Sequence, residues 1–238
     1  MENAVILIRS PRFAIPSYHS MKTELEFSTS WIHSFRRKPF TYTLRPDIMS
    51  WMRWRNANWY REMNRWCYFI DFWMSSGMLR NTTERGPEWD FHCNNSFHAN
   101  CTPRAIIQFE KLYSENEAVG IAETIKLAEA LDVLPNVTMI ENEARPCVYR
   151  EVMNRPEFYN RNRDGNGPQP EMLTFHYTQL WHMWKRLEFY KEKYSSARWL
   201  DNPNAVTLVQ ILDEYISEVS AEYDLAASEY YDAYGFIY

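Results

Sequence analysis

WMRWRNANWYREMNRWCYFIDFWM, residues 51–74, holds five tryptophans and four arginines in two dozen positions. Placed on a helix at about 100° per residue, Met52, Trp59, Met63, Trp66, Ile70 and Trp73 fall on one stripe. That stripe reads as a core or interface seam. Arg61 and Arg65 lie on the far side, but so do Trp54, Tyr68 and Phe72, which leaves the second half of the helix apolar nearly all round. Such a helix is normally walled in by neighbours on every side. The interaction residues expected on this reasoning are Trp54, Trp59, Trp66, Tyr68, Phe72 and Trp73.

The flanks support a helix. Pro46 and Asp47 form a start signal with Asp47 able to cap, and Ser75, Ser76 and Gly77 form a stop. A helix of this length extends roughly 40 Å. Before it, residues 1–45 read as an extended, irregular arm with no long helix: AVILI and FTYTL suit short strands and RRKP a basic turn.

After it, residues 46–134 form a helical region broken by a Cys/His loop at 80–101. Thr102 and Pro103 reopen helix over PRAIIQFEKLY, and Ser114 with Glu117 makes a capping box for EAVGIAETIKLAEALDVL. Residues 135–170 carry no clear period and read as an irregular connector. In residues 171–238, Leu173, Tyr177, Leu180, Trp184, Leu187 and Tyr194 stripe one helix. Val206, Leu208, Ile211, Leu212, Tyr215, Val219 and Ala226 stripe a second. The Asp201-Asn202-Pro203 turn between them predicts an antiparallel helical hairpin. The expected fold is mostly α: one long aromatic helix plus helical hairpins, with an irregular arm and connectors.

Composition sets limits on function. The chain has 238 residues, 45% of them hydrophobic and 16% aromatic, enough for a real core and rich in residues that favour extensive contact. It holds only 6 glycines and neither GxGxxG nor GxxxxGK[ST], so the common nucleotide-binding loops are absent. No GxSxG, HExxH or SxxK occurs. His176 falls on the apolar stripe of its helix and His182 roughly on the opposite side, so they cannot share a ligand. Asp213, Glu214, Glu218 and Glu222 read as a solvated face. The expectation is a protein without catalytic residues and without a cofactor.

His92, Cys93, His98 and Cys101 are the one grouping with metal-ligand chemistry. Zinc takes two imidazoles and two thiolates, but ordinarily as two hooks with a longer spacer. Zinc, a Cys93–Cys101 disulfide and a reduced loop all remain open readings. The four Asn-x-Ser/Thr sequons, at Asn81, Asn94, Asn100 and Asn136, read as chance in an Asn-rich chain.

Net charge is −5, unevenly spread. Residues 1–80 carry 12 Lys/Arg against 6 Asp/Glu, whereas residues 199–238 carry none against 8. The two ends are expected to face different partners or each other. The longest apolar run, Trp66 to Leu79, contains Asp71 and is too short to span a bilayer. Peripheral lipid contact through Trp and Arg remains compatible with the pattern. Arg36, Arg37, Lys38, Arg53, Arg61 and Arg65 would supply phosphate contacts if the partner were RNA, but the chain as a whole is acidic. Arg9, Arg12 and the nearby serines resemble a mitochondrial presequence, a pattern spoiled by Glu2 and two prolines.

Few glycines, many Trp, Tyr, Met and Arg, helical hairpins and long Pro/Asn/Arg-rich connectors together give a chain that resembles supernumerary subunits of mitochondrial respiratory complexes or ATP synthase. The resemblance is one of style over the whole chain and transfers no functional residue. It implies a structural role among other protein subunits, peripheral to the inner membrane. An RNA-associated organellar ribosomal protein is the alternative, and an enzyme without a recognisable motif a second one.

Overall fold

Val5–Ile8 (β1) and Ala105–Gln108 (β2) pair in parallel, with Ile6 opposite Ile106 and Leu7 opposite Ile107. This pairing in the computed structural model closes a hundred-residue excursion of the chain. The structure describes residues 4–27, 47–74, 103–114, 116–132, 138–153 and 170–234. Seven α-helices accompany the strands among these residues: α1 Pro11–Phe27, α2 Ile48–Met74, α3 Phe109–Leu112, α4 Glu117–Asp132, α5 Arg145–Met153, α6 Tyr177–Ser195 and α7 Pro203–Tyr234. The fold is mostly α, as expected.

α2 begins where the sequence places it, with Asp47 Oδ2 accepting the Ser50 amide at 3.0 Å. The terminal hairpin also forms. Asn202 caps α7 by accepting the Asn204 amide at 2.9 Å, and α6 and α7 run antiparallel, with Tyr177 by Tyr230, Trp184 by Tyr223 and Lys191 by Asp213. α2 runs parallel to α6, since Asn56 meets Gln179, Tyr60 meets His182 and Asp71 meets Tyr194. The core between the three helices includes Trp59, Met63, Ile70, Leu180, Met183, Leu187, Leu208, Leu212 and Tyr215.

Several expectations are corrected. The supposed irregular arm of residues 1–45 contains the helix α1, despite Pro11 and Pro16. Pro11 sits at the first helical position, where no amide partner is lost. Pro16 does cost a backbone bond, offset by burial of Ile15 and His19, the latter against Trp51 and Trp54. The expected helix over PRAIIQFEKLY is instead β2 followed by the single turn α3. Ile106 and Ile107 are branched, wholly buried and held in register by β1, so pairing overrides local pattern.

The connector at 135–170 holds α5, fixed by the Tyr149 hydroxyl, which donates to the Leu112 carbonyl at 3.0 Å. The cap of α4 is Asn116, whose Oδ1 accepts the Ala118 amide, rather than a Ser114–Glu117 box. α6 starts at Tyr177 rather than 171, after a 3-10 turn at Pro170–Leu173. His176 is its N-cap, reciprocated by Gln179, and not a member of the apolar stripe. Val206 is exposed, so the buried stripe of α7 starts at Ala205 and Leu208.

The charge polarity along the chain is partly resolved within the molecule. Arg12 pairs with Glu222 at 2.8 Å and Lys111 with Glu214 at 2.7 Å, drawing the acidic last helix onto earlier segments. Among the described residues no helix is long and apolar enough to cross a membrane. His92, Cys93, His98 and Cys101 lie outside the described residues, as do Arg36, Arg37 and Lys38.

Candidate interaction surface

The buried side of α2 is Trp51, Arg55, Trp59, Glu62, Met63, Cys67, Ile70 and Met74. Its steps of three and four are those of a helical stripe, but the stripe includes two charged residues and is rotated from the one read by hydrophobicity. Met52 is therefore exposed, and Trp66 and Trp73 lie at the margin. Arg55 is accommodated by neutral oxygens, donating to the Thr174 carbonyl and to Asn56 Oδ1. Burial lowers its pKa. Glu62 accepts from both Arg61 and Arg65, at 3.1 and 2.9 Å, and both guanidiniums remain largely exposed.

The six expected interaction residues separate into groups. Trp59 is 0% exposed, donates its indole N–H to the Gln179 carbonyl at 3.3 Å and packs on Phe175. It belongs to the chain's own core. Trp66 is half-buried and donates to the Arg9 carbonyl at 2.9 Å, beside Tyr215. Trp54 is half-buried against His19, with Trp51 stacked on it. Phe72 and Trp73 are half-buried and meet edge to face at 5.3 Å. Tyr68, at 48%, is the one of the six that is exposed.

Sequence reasoning missed further exposed residues. Phe69 is exposed and lies edge-on to Trp73 at 6.2 Å, and Tyr60 is exposed beside His182. Trp181 and Phe189 are exposed on α6. The signal that would have found them is the buried arc of α2 itself: once Arg55 and Glu62 are admitted to it, Tyr60 and Phe69 rotate outward. Together with Arg53, Arg61 and Arg65, these side chains give α2 an outer side on which no acidic residue is exposed.

Behind this surface a polar brace joins α2 to α6. Asp71 accepts from the hydroxyls of Tyr190 and Tyr194, each at 2.7 Å, and from Lys193 Nζ at 2.5 Å. Burial first, and the Asp71 carboxylate second, raise both phenols far above their ordinary range, so they stay protonated donors. Burial also pushes the neighbouring Cys67 thiol up to about 12. A second brace joins α3 to α7 and to the residue before α1, where Glu110 accepts from Tyr215 at 2.8 Å and from the Ser10 amide at 2.9 Å.

His176 and His182 stand a turn and a half apart on α6 in different surroundings, one at the cap and one half-buried against Tyr60. Among the described residues no three His, Cys, Asp or Glu side chains converge to hold a metal ion. No protein-family model matches the chain, and neither does any curated protein or solved structure.

Proposed function

We propose that the chain is a non-catalytic structural subunit of a large assembly, an energy-transducing complex of the mitochondrial inner membrane such as a respiratory complex or ATP synthase. The supporting observation is the outer side of α2: Tyr60, Tyr68 and Phe69 stay exposed beside Arg53, Arg61 and Arg65 after the chain's own core is filled. Aromatic residues and arginine are the types enriched where proteins meet. The mitochondrial part rests on the resemblance in style alone. Attachment to the membrane would be peripheral, with arginines and aromatic rings at the headgroup level.

The test is isolation of the tagged chain from its native source, followed by native electrophoresis and mass spectrometry. Migration with an inner-membrane complex at constant stoichiometry is expected. A chain absent from mitochondria, or migrating there only at its own mass, overturns the reading.

RNA association is the second reading, favoured by one observation. Tyr68 and Phe69 share the side of α2 that carries Arg61 and Arg65, so stacking and phosphate contacts would come from one face. Co-purifying rRNA that is released with rising salt would support it, because phosphate contacts release counterions.

A further inference from the structure

We propose that the outer stripe of α2 in one copy of this chain docks antiparallel on the outer stripe of α7 in a second copy. The inference does not depend on which assembly the chain joins. It starts from two faces of opposite charge that the fold leaves uncovered on every molecule.

On α2 the stripe is Arg61, Arg65 and Tyr68, spaced at four and three residues and all exposed. Arg61 and Arg65 share the single carboxylate of Glu62, so the trio retains one positive charge at the surface. On α7 the stripe is Leu225, Glu229 and Asp232, again at four and three residues. Leu225 is 62% exposed, and Glu229 and Asp232 are exposed and enter no ion pair among the described residues. Laid antiparallel, Arg61 faces Asp232, Arg65 faces Glu229 and Tyr68 faces Leu225, all within one residue of register. The parallel alignment of the same stripes would set Arg61 opposite Leu225 and Tyr68 opposite Asp232, leaving Arg65 with Glu229 as the single ion pair.

Charge decides in favour of a second copy. α2 and α6 together carry eight Lys/Arg against four Asp/Glu, and α7 carries seven Asp/Glu and no Lys or Arg. Each molecule thus supplies both surfaces in equal number, and contact between copies neutralises both. Exposed charge pairs of this kind set orientation and association rate more than affinity, so the contact should be weak and sensitive to salt. Because the two surfaces differ, one copy uses both at once and the association extends beyond two copies unless it closes into a ring.

Sedimentation velocity or light scattering on the purified full-length chain tests this at low and high ionic strength. The expected result is a mass of two or more copies at low salt that falls to the 28.7 kDa of one copy at high salt. Arg61→Glu/Glu62→Gln/Arg65→Glu, in which the buried Glu62 is neutralised because both of its arginine partners are reversed, and Glu229→Arg/Asp232→Arg should each run as one copy at low salt with unchanged helical circular dichroism. An equimolar mixture of the two variants should associate again, since each supplies charges complementary to the other. A wild-type chain of one-copy mass at low salt overturns the proposal, as does salt-insensitive aggregation or a mixture that stays dissociated. Wild-type chain that is monomeric but sediments with anionic phospholipid vesicles, or shifts RNA, through Arg61 and Arg65 also overturns it and assigns the α2 stripe to that ligand.

Discussion

The Asp71 carboxylate lies 2.7 Å from the Tyr194 hydroxyl, and the bond crosses from the last turns of α2 to those of α6. Tyr190 and Lys193 bind the same carboxylate. Asp71→Ala would leave two buried phenols without their acceptor, at a cost of about 3 kcal/mol. Asp71→Asn, which keeps one oxygen, should cost less. Urea unfolding curves measure both, and a loss below about 1 kcal/mol for the alanine variant would reduce the brace to an ordinary exposed ion pair.

Trp59 and Tyr68 lie nine residues apart on α2 and should respond oppositely to truncation. Trp59 is wholly enclosed, so Trp59→Ala is expected to cost about 3–5 kcal/mol in the isolated chain. Tyr68→Ala should change stability by about 0.5 kcal/mol or less. If Tyr68 is an interface anchor, the same substitution weakens association without moving the unfolding midpoint.

Gly120 on α4 is where Tyr149 passes. A Cβ at that position would stand 1.8 Å from the Tyr149 hydroxyl oxygen, which also bonds the Leu112 carbonyl. Gly120→Ala must therefore displace the ring and break the bond, at a cost of about 1–3 kcal/mol, despite alanine's better helix propensity. A double-mutant cycle with Tyr149→Leu checks the cause: most of the penalty should vanish in that background.

His182 carries a pH dependence. Burial, with Arg186 as the smaller cause, holds its imidazole below the ordinary 6.5. The folded state therefore binds fewer protons than the unfolded state, and the His182 contribution is present above pH 6.5 and lost as pH falls from there through the lower folded value. Thermal midpoints should decline across that window in the wild type. His182→Gln should decline less, and equal slopes would remove His182 as the cause.

Cys67 and Cys147 should differ in reactivity. Cys67 is buried and its thiol is raised to about 12, whereas Cys147 is exposed. Alkylation followed by peptide mass spectrometry at neutral pH should modify Cys147 in the folded chain and Cys67 only in denaturant. Rapid labelling of both would mean that α2 separates from α6 under native conditions.

Much of the fold was legible where signals are local. The Asp47 cap, the Asn202 turn and most of the stripes of α6 and α7 depend on residues within a turn or two, and they are found as expected apart from His176 and Val206. The exposed aromatic side of α2 was legible only in part. Tyr68 faces outward as anticipated, but Trp59 is taken up by the core, because a helix apolar on nearly every side does not itself specify which side a neighbour will cover. A stripe read from hydrophobicity does not include Arg55 and Glu62, although Thr174, Asn56 and the two arginines satisfy them within the buried side.

By itself, then, the sequence determined a mostly helical chain with a long aromatic α2 and an antiparallel α6–α7 hairpin, through caps, turns and the 3.6-residue period. Only the tertiary structure decided that residues 11–27 are helical, that Ala105–Gln108 is a strand, and which aromatic side chains of α2 remain outside. In each of those cases the local preference is worth about a kilocalorie or less per residue, apart from the larger penalty at Pro16, and burial against a partner distant in sequence outweighs it.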